Sequence, residues 1–204
     1  MSFVEVFADV GCPFTHVGLR RLVERRDALG RQDVVLRVRA WPLELVNGVA
    51  IDPAEVTEEI VELQRDAAPD LFGQYSPANF PTSSLPALDL AHAAARVDDR
   101  TGEQVSLALR TALFEEGRDI ADPTVLEAIA RVYGVTVSAE LDRAAVLSDW
   151  KEGVARGVEG SPHFFVADQS WFCPSLDIRR VDGRLKVSTD PAAFNAFLDE
   201  CFGQ

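Results

Sequence analysis

The sequence predicts an α/β protein in which two strand-containing segments are separated by a helical block. Strand-type apolar runs occur near the two ends, within residues 3–41 and 163–172, whereas the periodicity from about Asp52 to Trp150 is helical. A chain of 204 residues with 47% hydrophobic content is long enough to bury a sizeable core. We therefore expect a soluble globular protein, made of one domain or of one domain carrying an insertion.

The N-terminal segment predicts a strand, a helix and a second strand. The apolar run Phe3–Val10 is followed by the amphipathic segment Phe14–Leu29, and Val34–Trp41 then alternates apolar and polar residues. Two strands joined by a helix are most simply parallel, because a parallel pair needs a crossover connection.

Helix-start signals divide the central block. Asp52-Pro53 and Asp122-Pro123 each supply an N-cap residue followed by proline at the first helical position, and Ser138 marks another start. The stretch from Pro69 to Pro86 is rich in Pro, Ser and Asn and predicts an irregular connection. Apolar helical faces are also present in Leu85–Arg96 and Glu103–Glu115.

The C-terminal segment predicts two strands and a closing helix. His163–Val166 and Ser170–Phe172 can pair as a hairpin, and Asp190 starts the helix. A βαβ half, a helical insertion and a ββα half together make the layout of a thioredoxin fold. We assign residues 1–48 and 151–204 to the thioredoxin-like domain, and residues 49–150 to an inserted helical domain.

Charge and cysteine content limit the partners and the compartment. The net charge is −13, from 33 acidic and 20 basic residues, and such a field repels nucleic acid and anionic membranes. No basic segment precedes an apolar stretch at the N-terminus, so we expect neither a signal peptide nor a membrane anchor. Three widely spaced cysteines do not make a disulfide framework. We expect a cytoplasmic protein whose partner is a small molecule or another protein.

The segment Cys12-Pro13-Phe14-Thr15 is the main candidate for chemistry. It lies where the first strand meets the first helix, so Cys12 faces unpaired backbone N–H groups and the positive end of the helix dipole. Both favour the thiolate, and we expect a lowered thiol pKa. Pro13 suits the first helical turn, because it has no N–H to leave unsatisfied.

Three segments resemble the DsbA family. Phe7–Thr15 is similar to its active-site segment, particularly in the FrnE-like branch and in the related 2-hydroxychromene-2-carboxylate isomerases and kappa-class glutathione transferases. Leu113–Asp122 resembles a segment of the family's helical insertion, and Gly157–Val166 resembles its cis-proline loop. The resemblance covers nearly the whole chain, and it implies that Ser161 and Pro162 lie against Cys12 and help to hold a sulfur-bearing partner.

The chain departs from the dithiol pattern of that family, because Thr15 stands where Cys-x-x-Cys has its second cysteine. A lone thiolate can form a mixed disulfide, but a second thiol must resolve it. That thiol is either a small molecule such as glutathione or mycothiol, or another cysteine, for which Cys173 is the internal candidate. The Thr15 hydroxyl can donate a hydrogen bond to the Cys12 thiolate. Cys201 is interpreted as a packing or surface thiol.

The histidines leave two interpretations open. His16 is four residues after Cys12, so an imidazolium there could stabilise the thiolate, or His16 could belong to a domain interface without a catalytic part. A zinc site made of Cys12, His16 and His163 is disfavoured, because no paired ligand motif supports it. We therefore expect no metal, and we include Pro13, Phe14 and His16 with Ser161 and Pro162 in the substrate-binding set.

The resulting hypothesis is a monothiol thiol-disulfide oxidoreductase of the DsbA family, with Cys12 as nucleophile and Thr15 as the stabilising group. It has no bound cofactor, uses a low-molecular-weight thiol as co-substrate, and acts on a small thiol or a disulfide-bearing protein. One alternative is a glutathione-dependent isomerase or transferase of the chromene-carboxylate isomerase and kappa type. Another is a non-catalytic binding protein on the same fold. Whether the protein forms a homodimer is left open.

Overall fold

The computed structural model describes residues 2–203. Its helices are α1 Pro13–Ala28, α2 Leu43–Asn47, α3 Pro53–Asp66, α4 Leu85–Ala95, α5 Asp99–Phe114, α6 Pro123–Tyr133, α7 Ala139–Ala155 and α8 Pro191–Phe202. Its strands are β1 Ser2–Ala8, β2 Val34–Ala40, β3 His163–Val166, β4 Gln169–Phe172, β5 Leu176–Val181 and β6 Arg184–Thr189. Within this part of the chain, the structure holds no helix both long and apolar enough to cross a membrane.

The main sheet has the strand order β2-β1-β3-β4. β2 pairs parallel to β1, as the crossover through α1 requires, while β3 is antiparallel to β1 and β4 is antiparallel to β3. β1 is therefore central, and its Val4 and Val6 are buried. This arrangement confirms the predicted fold class, a thioredoxin fold with additional helices between its two halves.

A second sheet, formed by the hairpin of β5 and β6, was not predicted. Its turn is Asp182-Gly183, and both residues have positive φ, at 51° and 78°. An Asp-Gly pair is the usual signal of such a two-residue turn, so the sequence did contain the evidence. The strands themselves are hard to recognise, because β5 carries three charged residues among six. β6 packs against α3.

The helices of the central block pack onto the sheet through a shared apolar core. One cluster of buried side chains includes Leu90, Leu109 and Leu113 from this block, and it continues into Val17 of α1 and Ala40 of β2. A second cluster lies between the sheet, α1 and α8. The helical block is therefore held against the N-terminal half by buried contacts.

A buried ion pair adds to this attachment. Arg26 of α1 donates to Glu103 of α5 over 2.7 Å, and the other carboxylate oxygen of Glu103 accepts from the backbone N–H of Leu36 over 2.7 Å. Removal of one partner would leave a buried charge unpaired, which is costly. The pair therefore fixes α5 relative to both α1 and β2.

Three of the predicted helix starts have the expected side-chain caps. Asp52, Asp122 and Asp190 each accept a hydrogen bond from a backbone N–H in the first turn of the helix that follows. Ser138 also precedes a helix, α7, but its side chain makes no capping hydrogen bond. These caps satisfy N–H groups that would otherwise lack a partner.

Candidate active site

Cys12 lies at the N-cap position of α1, directly after the loop that leaves β1. Its backbone is extended, with φ −85° and ψ 117°, which turns the chain into the helix. The residue is only 5% exposed, and its thiol donates to the carbonyl oxygen of Ser161 over 3.1 Å. Residues 149 positions apart in the chain are thereby brought together.

Ser161 makes hydrogen bonds to residues before and after Cys12 in the chain. Its Oγ accepts from the backbone N–H of Asp9 over 2.9 Å and lies 2.7 Å from the Thr15 Oγ1. The Ser161–Pro162 peptide bond is cis, and Pro162 lies beside Gly18 of α1. Small side chains at these positions let the loop lie directly against the first turns of α1.

A cleft of about 390 Å³ opens beside Cys12. Cys12, Pro13, Phe14 and Ser161 line one side of the cleft. Gly11, which precedes Cys12, also lies on that side. The remainder of the lining comes from α2, α3 and the segment between them, and it comprises Leu43, Asn47, Val49, Ala50, Ile51, Asp52, Glu55, Val56 and Glu59. The cleft therefore lies between the thioredoxin-like core and the first long helix of the central block.

The Cys12 thiol has a raised pKa in this structure. Burial is the main cause, and the charge of Glu59 raises the pKa further, while hydrogen bonds from Thr15 and Ser161 act in the opposite direction. The expectation that the helix N-terminus lowers the Cys12 pKa is therefore wrong for the buried thiol in this structure. A helix dipole contributes about 1 kcal/mol, and desolvation of a buried thiolate costs more.

Thr15 and His16 follow Cys12 on α1 but have different surroundings. Thr15 is fully buried, where its hydroxyl reaches Ser161. His16 points to the central block instead, and its Nε2 donates to the Glu115 carboxylate over 2.6 Å, while its ring packs between Phe72 and Phe114. Burial lowers the His16 pKa. Of the two interpretations that the sequence left open, this geometry favours the interface one, because His16 is not among the residues that line the Cys12 cleft.

Asp9 is a site residue that the sequence analysis did not single out. The residue is fully buried, and its carboxylate accepts from the backbone N–H groups of Gly11 and Leu43, each over 2.7 Å, and from Ser84 Oγ over 3.0 Å. Burial raises the Asp9 pKa, against the effect of these hydrogen bonds. Asp9 shapes the turn before Cys12, and an acidic residue within an apolar strand run was a signal that could have identified it.

Arg110 is a second site residue that was missed. Its guanidinium is fully buried and donates from Nη2 to the Asp9 carbonyl over 3.0 Å, the same oxygen that accepts from the Cys12 N–H over 3.4 Å. Nε and Nη1 have no hydrogen-bond partner among the described residues. Burial lowers the Arg110 pKa to about 10, although the charges of Asp9 and Cys12 oppose this shift. An arginine on the apolar face of α5, between Ser106 and Leu113, was the available signal.

Glu59 is the third missed residue, and it lines the cleft with Cys12. It lies at the edge of the apolar face that α3 forms with Val56 and Ile60. Burial and the neighbouring charge of Glu55 raise its pKa to about 7, while Arg180 acts in the opposite direction. Perturbed carboxyl groups of this kind concentrate at functional sites.

Cys173 lies close to the site but is held in a buried position. Its N–H donates to the Pro162 carbonyl over 3.1 Å, and its thiol pKa is raised by burial and by the charge of Cys12.

The other cysteine and His163 have structural surroundings. Cys201 of α8 is buried in the core beside the sheet, and the His163 ring accepts a hydrogen bond from the Glu159 N–H. Among residues 2–203, the structure contains no group of three or more His, Cys, Asp or Glu side chains placed to hold a metal.

The chain combines a thioredoxin fold, a cysteine at the start of the first helix and additional helices between the two halves of the fold. The family model described as DSBA-like thioredoxin domain matches residues 3–186, so the chain belongs to this family. The family resemblance predicted from the sequence is therefore confirmed.

Solved structures with the same fold are named after different activities. The cytosolic disulfide reductase DsbM from Pseudomonas aeruginosa has a TM-score of 0.60 at 18% identity, with 97% of each chain covered. A probable DsbA oxidoreductase from Streptomyces coelicolor has a TM-score of 0.65 at 20% identity, covering 100% of this chain and 91% of that one. A 2-hydroxychromene-2-carboxylate isomerase has a TM-score of 0.60 at 18% identity, covering 83% and 88%. No curated protein sequence matches the chain.

Proposed function

We propose that this protein is a monothiol thiol-disulfide oxidoreductase with Cys12 as its nucleophile. The observation that carries the proposal is the position of Cys12, at the start of α1, bonded to the Ser161 carbonyl and lining an open cleft. A sulfur nucleophile needs access to its partner and groups that stabilise its charge. Within the family, we place the chain in the FrnE-like branch on the segments quoted above.

The reaction would proceed in two exchange steps. In the first, the Cys12 thiolate attacks a disulfide, a new S–S bond forms as the old one breaks, and one thiolate leaves. In the second, an external thiolate attacks the mixed disulfide, regenerates the Cys12 thiolate and carries away the other half of the substrate as a new disulfide. Substrate is reduced while the external thiol is oxidised, so the electrons balance.

The surrounding residues have distinct parts in this scheme. The Thr15 hydroxyl stabilises the thiolate, and the loop of Ser161 and cis-Pro162 positions the sulfur of the partner, with Pro13 and Phe14 forming the adjacent wall. The external thiol is glutathione or mycothiol, and the disulfide comes from a small molecule or a protein in the cytoplasm. Support for the external thiol comes from Thr15 in place of a second cysteine.

The first experiment measures mixed-disulfide formation. The protein is incubated with bis(2-hydroxyethyl) disulfide and then with reduced glutathione, and intact mass is followed throughout. We expect one 2-mercaptoethanol adduct on Cys12, its removal by glutathione, no adduct in Cys12→Ser, and an unchanged adduct in Cys201→Ser. An unmodified wild-type protein, or an adduct that persists in Cys12→Ser, would overturn the proposal and favour the isomerase or binding-protein alternatives.

A gain of function tests the role assigned to position 15. Thr15→Cys restores the Cys-x-x-Cys spacing, so the second thiol can attack the mixed disulfide within the same helix. We expect this variant to release its adduct without added glutathione and to form an internal disulfide. Thr111→Cys, which places a thiol in a groove between α5 and α6, is the matched control. This variant should keep the adduct on Cys12 until glutathione is added.

A further inference from the structure

The cleft beside Cys12 is acidic on the side that faces the thiol. Asp52, Glu55 and Glu59 line it, and no lysine or arginine is among its lining residues in the described part of the chain. The site that the proposed function assigns to the partner of Cys12 therefore carries negative charge at close range.

The positive groups near the cleft do not cancel this charge. The N-terminus of α3 would attract an anion, but the Asp52 carboxylate already accepts its Ala54 N–H over 2.8 Å. Arg110 is fully buried and donates to the Asp9 carbonyl, so it does not line the cleft. Arg180 influences Glu59 without lining the cleft.

Glu59 is the residue through which this charge acts most directly. It is half-buried, and its carboxylate accepts no hydrogen bond from any group within residues 2–203. Its charge reaches Cys12 strongly enough to raise the thiol pKa. A carboxylate that is neither paired nor fully solvated acts on neighbouring charges over several ångströms, because a low-dielectric wall screens it poorly.

We propose that the acidic wall formed by Glu55 and Glu59 makes the Cys12 cleft select neutral or cationic thiols and disulfides over anionic ones. The inference rests on the proposed function, because it concerns the partner of the Cys12 thiolate. Glutathione carries two carboxylates and one ammonium group, so we expect it to resolve the Cys12 mixed disulfide, but more slowly than an uncharged sugar-linked thiol or a basic peptide segment does.

Three disulfides with the same two-carbon skeleton test this selection. Cystamine is dicationic, bis(2-hydroxyethyl) disulfide is neutral, and the disulfide of 2-mercaptoethanesulfonate is dianionic. In each case the Cys12 thiolate attacks one sulfur and one two-carbon thiolate leaves. Rates of adduct formation are measured by intact mass at pH 8, where Glu59 is ionised, and each rate is divided by that of the same disulfide with free 2-mercaptoethanol.

We expect cystamine to react at least about tenfold faster than the dianionic disulfide after this correction. Glu59→Gln should reduce that ratio about threefold, and Glu55→Gln should reduce it less, because Glu55 is exposed. Glu58→Gln removes the same charge from an exposed position of α3 outside the cleft lining, and it should leave the ratio unchanged.

The outcomes separate this inference from the proposed function. Equal corrected rates for the three disulfides, or equal effects of Glu58→Gln and Glu59→Gln, would overturn the selection by the cleft while leaving Cys12 as the nucleophile. If none of the three disulfides modifies Cys12, the proposed function fails and the inference fails with it. The ratio also removes any change in Cys12 reactivity itself, because that change affects all three disulfides alike.

Discussion

Two carboxylates of the helical block face the thioredoxin-like core, and they differ in their hydrogen bonding. Glu115 accepts from His16 Nε2 over 2.6 Å and from the backbone N–H groups of Phe72 and Gly73 over 3.1 and 3.3 Å, and its pKa is lowered by these partners despite burial. Glu59 has no such donors among residues 2–203, and its pKa is raised to about 7.

This difference distinguishes a carboxylate that holds the helical block in place from one that lies in the candidate site. A partly buried carboxylate with three N–H donors repays its desolvation and connects elements of the fold. A partly buried carboxylate without donors costs stability, and proteins keep such groups mainly where chemistry needs them. We call the His16–Glu115 contact the latch, because it joins α1 to the end of α5.

Breaking the latch should have the largest effect on stability. Glu115→Ala leaves two backbone N–H groups and the His16 ring without their acceptor, so we expect the free energy of unfolding in urea to fall by about 3 kcal/mol. Glu116→Ala, at the exposed neighbouring position, is the control and should change it by less than about 0.5 kcal/mol. Equal losses in the two variants would show that the latch contributes nothing specific.

Glu59→Gln should stabilise the protein, and by more at higher pH. The pKa of Glu59 is about 7 in the folded state, against an ordinary value of 4.5. Its ionisation therefore lowers the stability of the folded protein progressively between pH 4.5 and pH 7, and this loss is absent below pH 4.5. We expect the gain in free energy of unfolding to be about 2 kcal/mol larger at pH 8 than at pH 5. A gain that is the same at both pH values would contradict the raised pKa.

Arg110→Met should weaken Cys12 as a nucleophile. The guanidinium shares the Asp9 carbonyl with the Cys12 N–H, so its loss removes a positive charge near the developing thiolate. We expect the Cys12 pKa, measured from iodoacetamide alkylation against pH, to rise by about one unit.

Two variants accompany this measurement. Arg110→Lys keeps a cation and should recover part of the shift, while Arg131→Met changes an exposed arginine of α6 and should have no effect. If Arg131→Met raises the pKa as much as Arg110→Met does, the effect reflects overall charge and not the buried guanidinium.

Cys173→Ala should have the smallest effect. The Cys173 thiol is buried and its pKa is raised, which makes it a poor attacking group. We expect the rate at which glutathione removes the Cys12 adduct to stay within about twofold of wild type. A Cys12–Cys173 disulfide in the wild-type mass spectrum, absent from the variant, would identify Cys173 as the resolving thiol instead.

The order of elements was predictable because it depends on local signals. Strand alternation, helical periodicity and the Asp-Pro starts at 52, 122 and 190 are properties of short windows. The β5 and β6 hairpin was missed, since charged residues interrupt its alternation, although Asp182-Gly183 marks the turn. Local windows also do not show which face of a helix meets which partner, so the spacing between Cys12 and His16 left open whether His16 acts on the thiolate or belongs to an interface.

Sequence patterns alone identified Cys12 as the candidate nucleophile, the threonine in place of a second cysteine and the thioredoxin-like order of strands and helices. The electrostatics around Cys12 depend on the folded arrangement, because Glu59, Arg110 and Ser161 come from distant parts of the chain. Burial depends on everything that packs around a group, and desolvation outweighs a helix dipole once the thiol is covered. The thiol pKa therefore depends on the folded site, whereas the position of the thiol at the start of a helix can be predicted from the sequence.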